Sequence, residues 1–330
     1  MRAIDERLDV RFEPDLVAPP RHPIDQDGPA AFERTPEQDQ RFAALVAGAE
    51  VLYGFPGDDA EQLARAIRSA PGLRFVQGTW AGAGQQVRAA GLTPEELERV
   101  AISSATGVHA VPLAEWSIFG LLAFAKSLPR LRRDTAQRHW PPHYPTAELR
   151  GKTLLVVGLG GIGAEVARLA SAFGMRVIGV KRNVHESVPH VESIHSPGKL
   201  GELVGAADAI VITLPLTDET RGLIDRATIA RMRQGAILVN VGRGAVIDEE
   251  ALIEALRSGK LAGAALDVFA EEPLPETSPF WKLENVLISP HTAAFSLHEN
   301  ARIVELFAEN LRRYLRGEEL LSRVDTSVFY

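Results

Sequence analysis

A glycine-rich turn between two short apolar segments constrains the fold of this chain more than any other feature. Gly158, Gly160 and Gly163 have the spacing GxGxxG and follow the apolar run 154–157. Apolar residues at helical spacing come next, and a second strand-like run occupies 175–180. The order of strand, turn, helix and strand is typical of a nucleotide-binding βαβ unit and separates this turn from a chance glycine spacing.

Each glycine of the turn has its own physical task. The first permits the tight turn, the second lets the backbone approach a pyrophosphate, and the third lets helix and strand pack closely. The free N–H groups and the positive dipole end of the helix then bind phosphate. An ordinary glycine-rich turn is the alternative, and the flanking strand and helix make it the weaker interpretation.

The positions about 20 residues beyond the glycines indicate which dinucleotide is bound. An NAD site usually has Asp or Glu there, accepting from the ribose 2′-OH. This chain has Lys181 and Arg182, followed by Asn183. Because these cations can pair with a phosphate, we predict a preference for NADP over NAD. In the alternative, both cations are solvated and Glu186 or another group binds the ribose.

Composition restricts the class of protein. Of 330 residues, 45% are apolar and 24% are charged, which suits two domains with substantial cores. The net charge of −7 argues against nucleic acid or an anionic membrane as the main partner, and no apolar run reaches the length of a membrane span. Without cysteines there are neither disulfides nor thiolate chemistry. Since the amino terminus lacks the apolar core of a signal peptide, we expect a cytoplasmic enzyme, and we predict no metal site.

Strands and helices are predicted to alternate, which indicates an α/β fold with parallel sheets. Thr35 and Thr93 begin capping boxes, so a helix starts after each. The segments 14–34 and 130–150 contain several prolines and are interpreted as irregular connections. The predicted strands are 8–12, 50–55, 73–77, 100–103, 154–157, 175–180, 209–214, 236–241, 261–268 and 286–288, and the main helices are 36–47, 60–69, 112–128, 225–232, 249–257 and 299–316.

Three polar side chains lie just beyond strands predicted between 236 and 288: Arg243, Glu272 and His291. Singly, each has an ordinary interpretation as a surface charge or a structural histidine. Together they suit the reduction of a 2-oxo acid at the ligand-binding edge of a parallel sheet. Arg243 can bind the carboxylate and polarise the ketone, and His291 can donate the proton. Glu272 would stabilise the imidazolium and orient the ring.

Five motifs, in this order, carry a resemblance to a known family: GLGGIG at 158–163, TLPLTDET at 213–220, VNVGRG at 239–244, LDVFAEEPLP at 266–275 and SPHTA at 289–293. With this order and spacing, the chain resembles the D-isomer-specific 2-hydroxyacid dehydrogenases, among them the glyoxylate/hydroxypyruvate reductases. The resemblance spans most of residues 100–310. It implies a small D-2-hydroxy acid or its 2-oxo acid as the substrate.

The resemblance also implies roles for individual residues. Arg243 binds substrate, His291 is the acid–base and Glu272 is its carboxylate partner. The segment 107–116 resembles the start of an interdomain helix that builds a homodimer in this family. The predicted cofactor contacts are Gly158, Gly160, Gly161, Ile162, Gly163, Lys181, Arg182, Thr213, Leu214, Pro215, Val241, Asp267, His291 and Ala294, of which Lys181 and Arg182 replace the acidic residue usual in the family. The substrate-carboxylate loop that the resemblance implies is Trp80, Ala81, Gly82 and Ala83.

The predicted fold class is α/β, with two doubly wound parallel-sheet domains. A Rossmann nucleotide-binding domain, 113–299, is inserted into a flavodoxin-like substrate domain formed by 1–112 and 300–330. Almost nothing precedes the strand predicted at 8–12, so we expect either a substrate domain that lacks an edge strand or a misassigned start.

The alternative function is a dinucleotide-sensing scaffold of the same fold, such as a transcriptional corepressor. The three intact polar residues do not exclude it, and the lack of a disordered interaction tail argues against it. A formate dehydrogenase is less well supported, because that family pairs its histidine with Gln and the predicted partner here is Glu272. A phosphoglycerate dehydrogenase with a regulatory domain is unsupported, because only about 40 residues follow His291.

Overall fold

The computed structural model describes residues 4–20, 32–327 and 329, apart from the side chain of Asp58. The chain divides into two compact units. Unit 1 comprises Met1–His109 with Phe295–Tyr330, and unit 2 comprises Ala110–Ala294. Each unit has a parallel β-sheet with helices, so the predicted α/β fold with parallel sheets is confirmed.

Unit 2 contains a seven-stranded sheet in which every strand pair is parallel. The strand order is β10-β9-β8-β7-β4-β5-β6, so the chain moves outward in one direction from β4 and in the other from β7. The order reverses between β4 and β7, and sheets of this kind bind ligands at the carboxyl ends of the strands that flank such a reversal. The strands are β4 (Thr153–Val157), β5 (Arg176–Val180), β6 (Ser193–His195), β7 (Ala209–Ile212), β8 (Ala236–Asn240), β9 (Leu261–Leu266) and β10 (Val286–Ile288).

Helices cover both faces of this sheet. Successive side chains of a strand point to opposite faces. Accordingly, Leu154 and Val156 pack with residues of α5 and α7, while Leu155 and Val157 pack with residues of α8, α9 and α10. These helices are α5 (Ala110–Ala125), α7 (Gly161–Ala172), α8 (Leu200–Leu203), α9 (Arg226–Arg231) and α10 (Glu249–Arg257), and α6 (Leu128–Ala136) follows α5.

Unit 1 is built on a smaller sheet of three parallel strands in chain order. Its strands are β1 (Val51–Tyr53), β2 (Phe75–Gln77) and β3 (Ala101–Ser103). Val76 and Ile102 pack with α2 and α3, whereas Phe75 packs with Phe307 and Leu320 on the side of α11. The helices are α1 (Pro36–Ala47), α2 (Ala60–Ser69), α3 (Ala83–Ala89), α4 (Pro94–Arg99) and α11 (Glu299–Arg316).

A buried hydrogen-bond network joins α11 to this sheet. The side-chain amide of Asn310 donates to Gln77 Oε1 at 2.9 Å and to Ser103 Oγ at 3.1 Å, and its Oδ1 accepts from the backbone N–H of Leu321 at 2.7 Å. Asn310, Gln77 and Ser103 are fully buried. Because a buried polar group without a partner is costly, this network specifies how the helix docks on the strands.

Local sequence signals located several helix ends correctly. Thr35 and Thr93 each form the predicted capping box, with Gln38 and Glu96 as the reciprocal partners. In each box the hydroxyl accepts from the backbone N–H three residues on, and that residue's side chain accepts from the backbone N–H of the threonine.

Two predictions were wrong, and three elements were missed. No strand forms at 8–12, where Arg11 pairs with Asp9 at 2.7 Å and Phe12 is 69% exposed. An alternating pattern without a neighbouring strand does not make a sheet. The predicted connection 130–150 begins inside α6, and the elements missed in the sequence are α3, β6 and α8. The predicted connection 14–34 lies partly outside the described residues.

Among the residues described, no single helix is both long and apolar enough to cross a membrane. The bent pair α5 and α6 meets the criterion by length and composition, with an angle of 65° between the two helices. Nine of the 16 residues of α5 are buried within the protein.

Candidate active site

Three neighbouring strands of unit 2 end at one edge of the sheet, and the predicted catalytic residues follow them. The strands are β8, β9 and β10, which are adjacent and parallel in that order. Arg243 comes three residues after β8, Glu272 lies beyond β9 and His291 lies beyond β10. The structure therefore places all three at the ligand-binding edge of one unit.

His291 and Glu272 are in direct contact. The distance from His291 Nδ1 to Glu272 Oε2 is 2.7 Å. Because a carboxylate only accepts hydrogen bonds, Nδ1 carries the proton and donates a hydrogen bond to Glu272. This contact selects the tautomer of the neutral ring and leaves Nε2 to exchange a proton with a ligand. The side chains are 45% and 35% exposed, so the pair remains accessible.

The backbone of His291 adopts an uncommon conformation that other residues hold in place. Its φ is +56°, in the left-handed region that non-glycine residues seldom occupy. The His291 N–H donates to the carbonyl of Asp267 at 2.9 Å, and the carboxylate of Asp267 accepts from Ala293 N–H at 2.9 Å. Asp267 is 1% exposed. A buried aspartate thus fixes the turn that presents the imidazole.

Arg243 is exposed, and hydrogen bonds of the Asn240 side chain hold its backbone in place. The side-chain amide of Asn240 donates to the Arg243 carbonyl at 3.0 Å, and its oxygen accepts from Gly242 N–H at 3.0 Å. The guanidinium donates to the Gly242 carbonyl at 2.7 Å. Within the described part of the chain, no hydrogen bond or ion pair joins Arg243 to Glu272 or His291, so its remaining donors are available to a ligand.

The glycine-rich turn has the geometry that a dinucleotide requires. Gly158 has φ of +106°, which favours glycine, and a Cβ there would lie 2.8 Å from Thr213 Oγ1. A Cβ on Gly160 would meet no heavy atom within 4 Å, so the backbone there is open to a ligand. A Cβ on Gly163 would overlap the carbonyl of Gly158, which explains why helix and strand can approach so closely only with glycine there. The residues present therefore fit a pyrophosphate at the start of α7.

Several other predicted cofactor residues of unit 2 lie next to this turn. Thr213 Oγ1 donates to the Gly158 carbonyl at 2.5 Å, and Leu214 follows directly. A Cβ on Gly242, next to the buried Val241, would lie 2.5 Å from the Leu214 carbonyl. The carboxyl ends of β4, β7 and β8 are therefore in close contact. Gly161 and Ile162 open α7, Pro215 follows Leu214, and Ala294 is the last residue of unit 2.

The two cations after β5 have different surroundings. Lys181 Nζ forms an ion pair with Glu186 Oε2 at 2.6 Å, and its side chain is only 22% exposed. Arg182 is exposed, and within the described part of the chain its side chain has no ion pair or hydrogen bond. Lys181 already has an anionic partner, whereas the guanidinium of Arg182 is available.

The predicted substrate loop lies in unit 1. Trp80 packs edge-on against Phe55, with ring centroids 5.1 Å apart, and its carbonyl accepts from Ala105 N–H at 3.1 Å. Ala81 accepts from Thr106 Oγ1 at 3.4 Å. Gly82 precedes α3, and Ala83 is its buried first residue. The backbone of the loop is thus tied to the end of β3.

Two polar residues of this edge were missed in the sequence. Asn240 is the last residue of the apolar strand β8, and a buried amide ending such a strand is the signal that would have revealed it. Glu249 is the first residue of α10 and accepts from Ala270 N–H at 2.7 Å. Nothing local marks Glu249, because an acidic residue is common in the first turn of any helix.

Comparison with known proteins assigns the chain to a family. The model of the D-isomer specific 2-hydroxyacid dehydrogenase, NAD binding domain, matches residues 118–293. A D-3-phosphoglycerate dehydrogenase of Methanocaldococcus jannaschii is 38% identical over 220 residues, which are 66% of this chain and 42% of that protein. A glyoxylate reductase of Korarchaeum cryptofilum is 37% identical over 225 residues, 66% of this chain and 67% of that protein. The chain therefore spans less than half the length of the first relative and about two thirds of the second.

A solved structure agrees with these sequences. A D-isomer specific 2-hydroxyacid dehydrogenase from Xanthobacter autotrophicus, crystallised with NADPH and MES, is 33% identical, with a TM-score of 0.68. The likeness covers 80% of this chain and 82% of that protein. Since the family model matches more than half of the chain, this protein belongs to the D-isomer specific 2-hydroxyacid dehydrogenases, a family of NAD(P)-dependent oxidoreductases.

Proposed function

We propose that this protein transfers hydride reversibly between NAD(P)H and the carbonyl carbon of a small 2-oxo acid, which yields a D-2-hydroxy acid. The observation that carries the proposal is the 2.7 Å contact between His291 and Glu272. This pair lies at the same sheet edge as the glycine-rich turn and as an exposed arginine. Family membership supports the reaction class, and the chemistry of the residues supports the roles below.

His291 is assigned as the general acid of the reduction and the general base of the oxidation. Imidazole gains and loses a proton near neutral pH, and Nε2 is the nitrogen that Glu272 leaves free. When His291 is protonated, the carboxylate of Glu272 stabilises the imidazolium at Nδ1. The bound nicotinamide supplies the hydride in one direction and accepts it in the other.

Arg243 is assigned to the substrate carboxylate and carbonyl. Its planar guanidinium offers several donors in a fork that matches a carboxylate, and only one of them is used by Gly242. Polarisation of the carbonyl by this cation favours the negative charge that develops on oxygen. The loop Trp80–Ala83 is proposed as a second carboxylate-binding segment for two reasons. It resembles the substrate loop of the family, and its small residues leave backbone N–H groups open to an anion.

NADP is proposed as the preferred dinucleotide, with NAD as the alternative. The support is the exposed guanidinium of Arg182, which has no partner among the described residues, because a 2′-phosphate pairs well with arginine. Lys181 contributes less, since Glu186 already neutralises it and a phosphate would have to compete. We further propose a cytoplasmic homodimer, formed through the region that begins α5, with unit 2 as the nucleotide-binding domain and unit 1 as the substrate domain.

A panel of 2-oxo acids tests the function and the choice of cofactor. Oxidation of NADPH and of NADH is followed with glyoxylate, hydroxypyruvate and a branched 2-oxo acid. We expect turnover with at least one acid and a lower KM for NADPH than for NADH. Absence of turnover with every acid and both cofactors, with dinucleotide still bound, would favour a dinucleotide-sensing scaffold. A clear preference for NADH would refute the NADP assignment alone.

A further inference from the structure

The short turn 269–272, which carries Glu272, is held by two carboxylates. Glu272 folds back on the turn, and its Oε1 accepts from Phe269 N–H at 2.9 Å. The next amide, Ala270 N–H, donates to Oε1 of Glu249 at 2.7 Å. Two consecutive backbone amides are therefore bound by two different acidic side chains, and one of these touches His291 through its other oxygen.

The same turn packs tightly on the segment that carries Arg243. A Cβ on Gly244 would overlap the backbone of Phe269 and Ala270, so the two segments are in direct backbone contact. On its other side the turn is anchored by the ring of Phe269, which lies 5.6 Å from that of Phe280. Glu249 adds the hydrogen bond that completes this support, and it comes from a different element, α10.

The surroundings of Glu249 disfavour the charged form of its side chain. Burial raises the pKa of Glu249, and the negative charge of Glu272 raises it further, while the bond from Ala270 N–H lowers it. Glu249 does not cap its own helix either, because Asp248 accepts from Ala251 N–H at 3.0 Å. The one hydrogen bond of Glu249 that the structure records points away from α10, to the turn of Glu272.

We propose that Glu249 is a positioning residue: by binding Ala270 N–H it fixes the turn 269–272 and so places the Glu272 carboxylate against His291. The inference rests on the proposed function, because Glu272 is the partner of the acid–base there. It adds a residue from α10 that acts through its hydrogen bond to Ala270 N–H. An oxygen acceptor at this position, and not the negative charge, is what the turn requires.

Three variants test this inference. Glu249→Ala removes the acceptor, Glu249→Gln keeps an oxygen acceptor without the charge, and Glu250→Ala is the matched control from the exposed face of the same helix turn. We expect Glu249→Ala to lower kcat between about tenfold and a hundredfold, because small displacements of catalytic groups have effects of that size. The Kd for NADPH should stay unchanged. Glu249→Gln should recover most of kcat, and Glu250→Ala should match the wild type.

A second readout is independent of turnover. Proteins labelled with ¹⁵N-histidine report the Nδ1–H of His291 by NMR, with His291→Gln identifying the signal. We expect the hydrogen-bonded Nδ1–H signal to be lost in Glu249→Ala and kept in Glu249→Gln. An unchanged signal in Glu249→Ala overturns the inference, as does an equal loss in both variants. An inactive wild type with the expected NMR pattern would instead refute the proposed function and leave the positioning role supported.

Discussion

Unit 2 leaves the side chains of Glu272 and His291 35% and 45% exposed, whereas unit 1 buries Gln77, Ser103 and Asn310 completely. Both sets are joined by hydrogen bonds of ordinary length, and both connect segments that are distant in the sequence. The two sets differ in which hydrogen-bonding groups remain without a partner. In the buried network of Asn310 the donors are used within the protein, so the network can only stabilise the fold. The exposed pair keeps one ring nitrogen free, so it can exchange a proton with a ligand.

The strongest test of this comparison is His291→Gln. We expect kcat to fall by about 10²–10⁴, the usual contribution of a positioned general acid or base. The melting temperature should not change, because the imidazole lies at the sheet edge and outside the core, and NADPH should still bind. His143→Gln, an exposed histidine of the same unit, is the control for steady-state kinetics. Full activity in His291→Gln would refute the assigned role.

The opposite effect is expected for Asn310→Ala. This change removes three donated bonds and one accepted bond from a fully buried site, and it leaves Gln77 and Ser103 with unpaired groups. The loss of stability should be about 2–4 kcal/mol, measured by urea unfolding. Glu305→Ala, exposed on the same helix, should lie within about 0.5 kcal/mol of the wild type. A similar stability in both variants would show that the buried network of Asn310 does not stabilise the fold, which would contradict the comparison.

A smaller effect is expected for Gly160→Ala, which should weaken cofactor binding without lowering the stability of the fold. Gly160→Ala adds a methyl group where no atom lies within 4 Å, so stability should be retained. The methyl group should nevertheless obstruct the pyrophosphate and weaken NADPH binding at least about tenfold, equivalent to about 1.4 kcal/mol. Fluorescence titration measures this, with Gly198→Ala as a control at an equally open glycine. Unchanged affinity in Gly160→Ala would contradict the assigned phosphate site.

The smallest effect concerns a tyrosine of unit 1. Tyr314 donates to Glu50 Oε1 at 2.6 Å, and burial, followed by this bond, raises its pKa to about 12. The folded state disfavours tyrosinate, so this residue makes stability fall as pH rises from about 10, the unfolded value, through about 12. Glu50→Gln should lower the pKa of Tyr314 towards 10 in an ultraviolet absorbance titration, with Tyr314→Phe identifying the transition. An unaltered titration would show that Glu50 has no influence.

Much of the fold was predictable from local patterns. The strand 286–288 and the helices 60–69, 249–257 and 299–316 have the predicted bounds, because periodicity, caps and terminal glycines act within a few residues. The prediction failed where local signals were weak or misleading. The strand β6 is three residues long and is defined by its pairing with β5. The helix α6 has its proline at the second position, which helices tolerate, but the prolines farther along indicated an irregular segment.

The candidate site shows a similar division. Arg243, Glu272 and His291 could be chosen from the sequence because each follows a strand and each has the required chemistry. Asn240 was missed although an amide ends its apolar strand, and Glu249 could not be chosen, because an acidic residue at a helix start is common. Their importance depends on which backbone amides and carbonyls happen to lie opposite them.

By itself the sequence determined the βαβ unit around Gly158, the alternation of strands and helices, and the residue types available for chemistry. Only the tertiary structure decided that Glu272 contacts His291 and that Asn310 joins α11 to β2. The physical reason is the distance along the sequence over which each interaction acts. Turn, helix and strand preferences depend on neighbours within a few positions, whereas these contacts arise when packing brings together segments that are up to 233 positions apart.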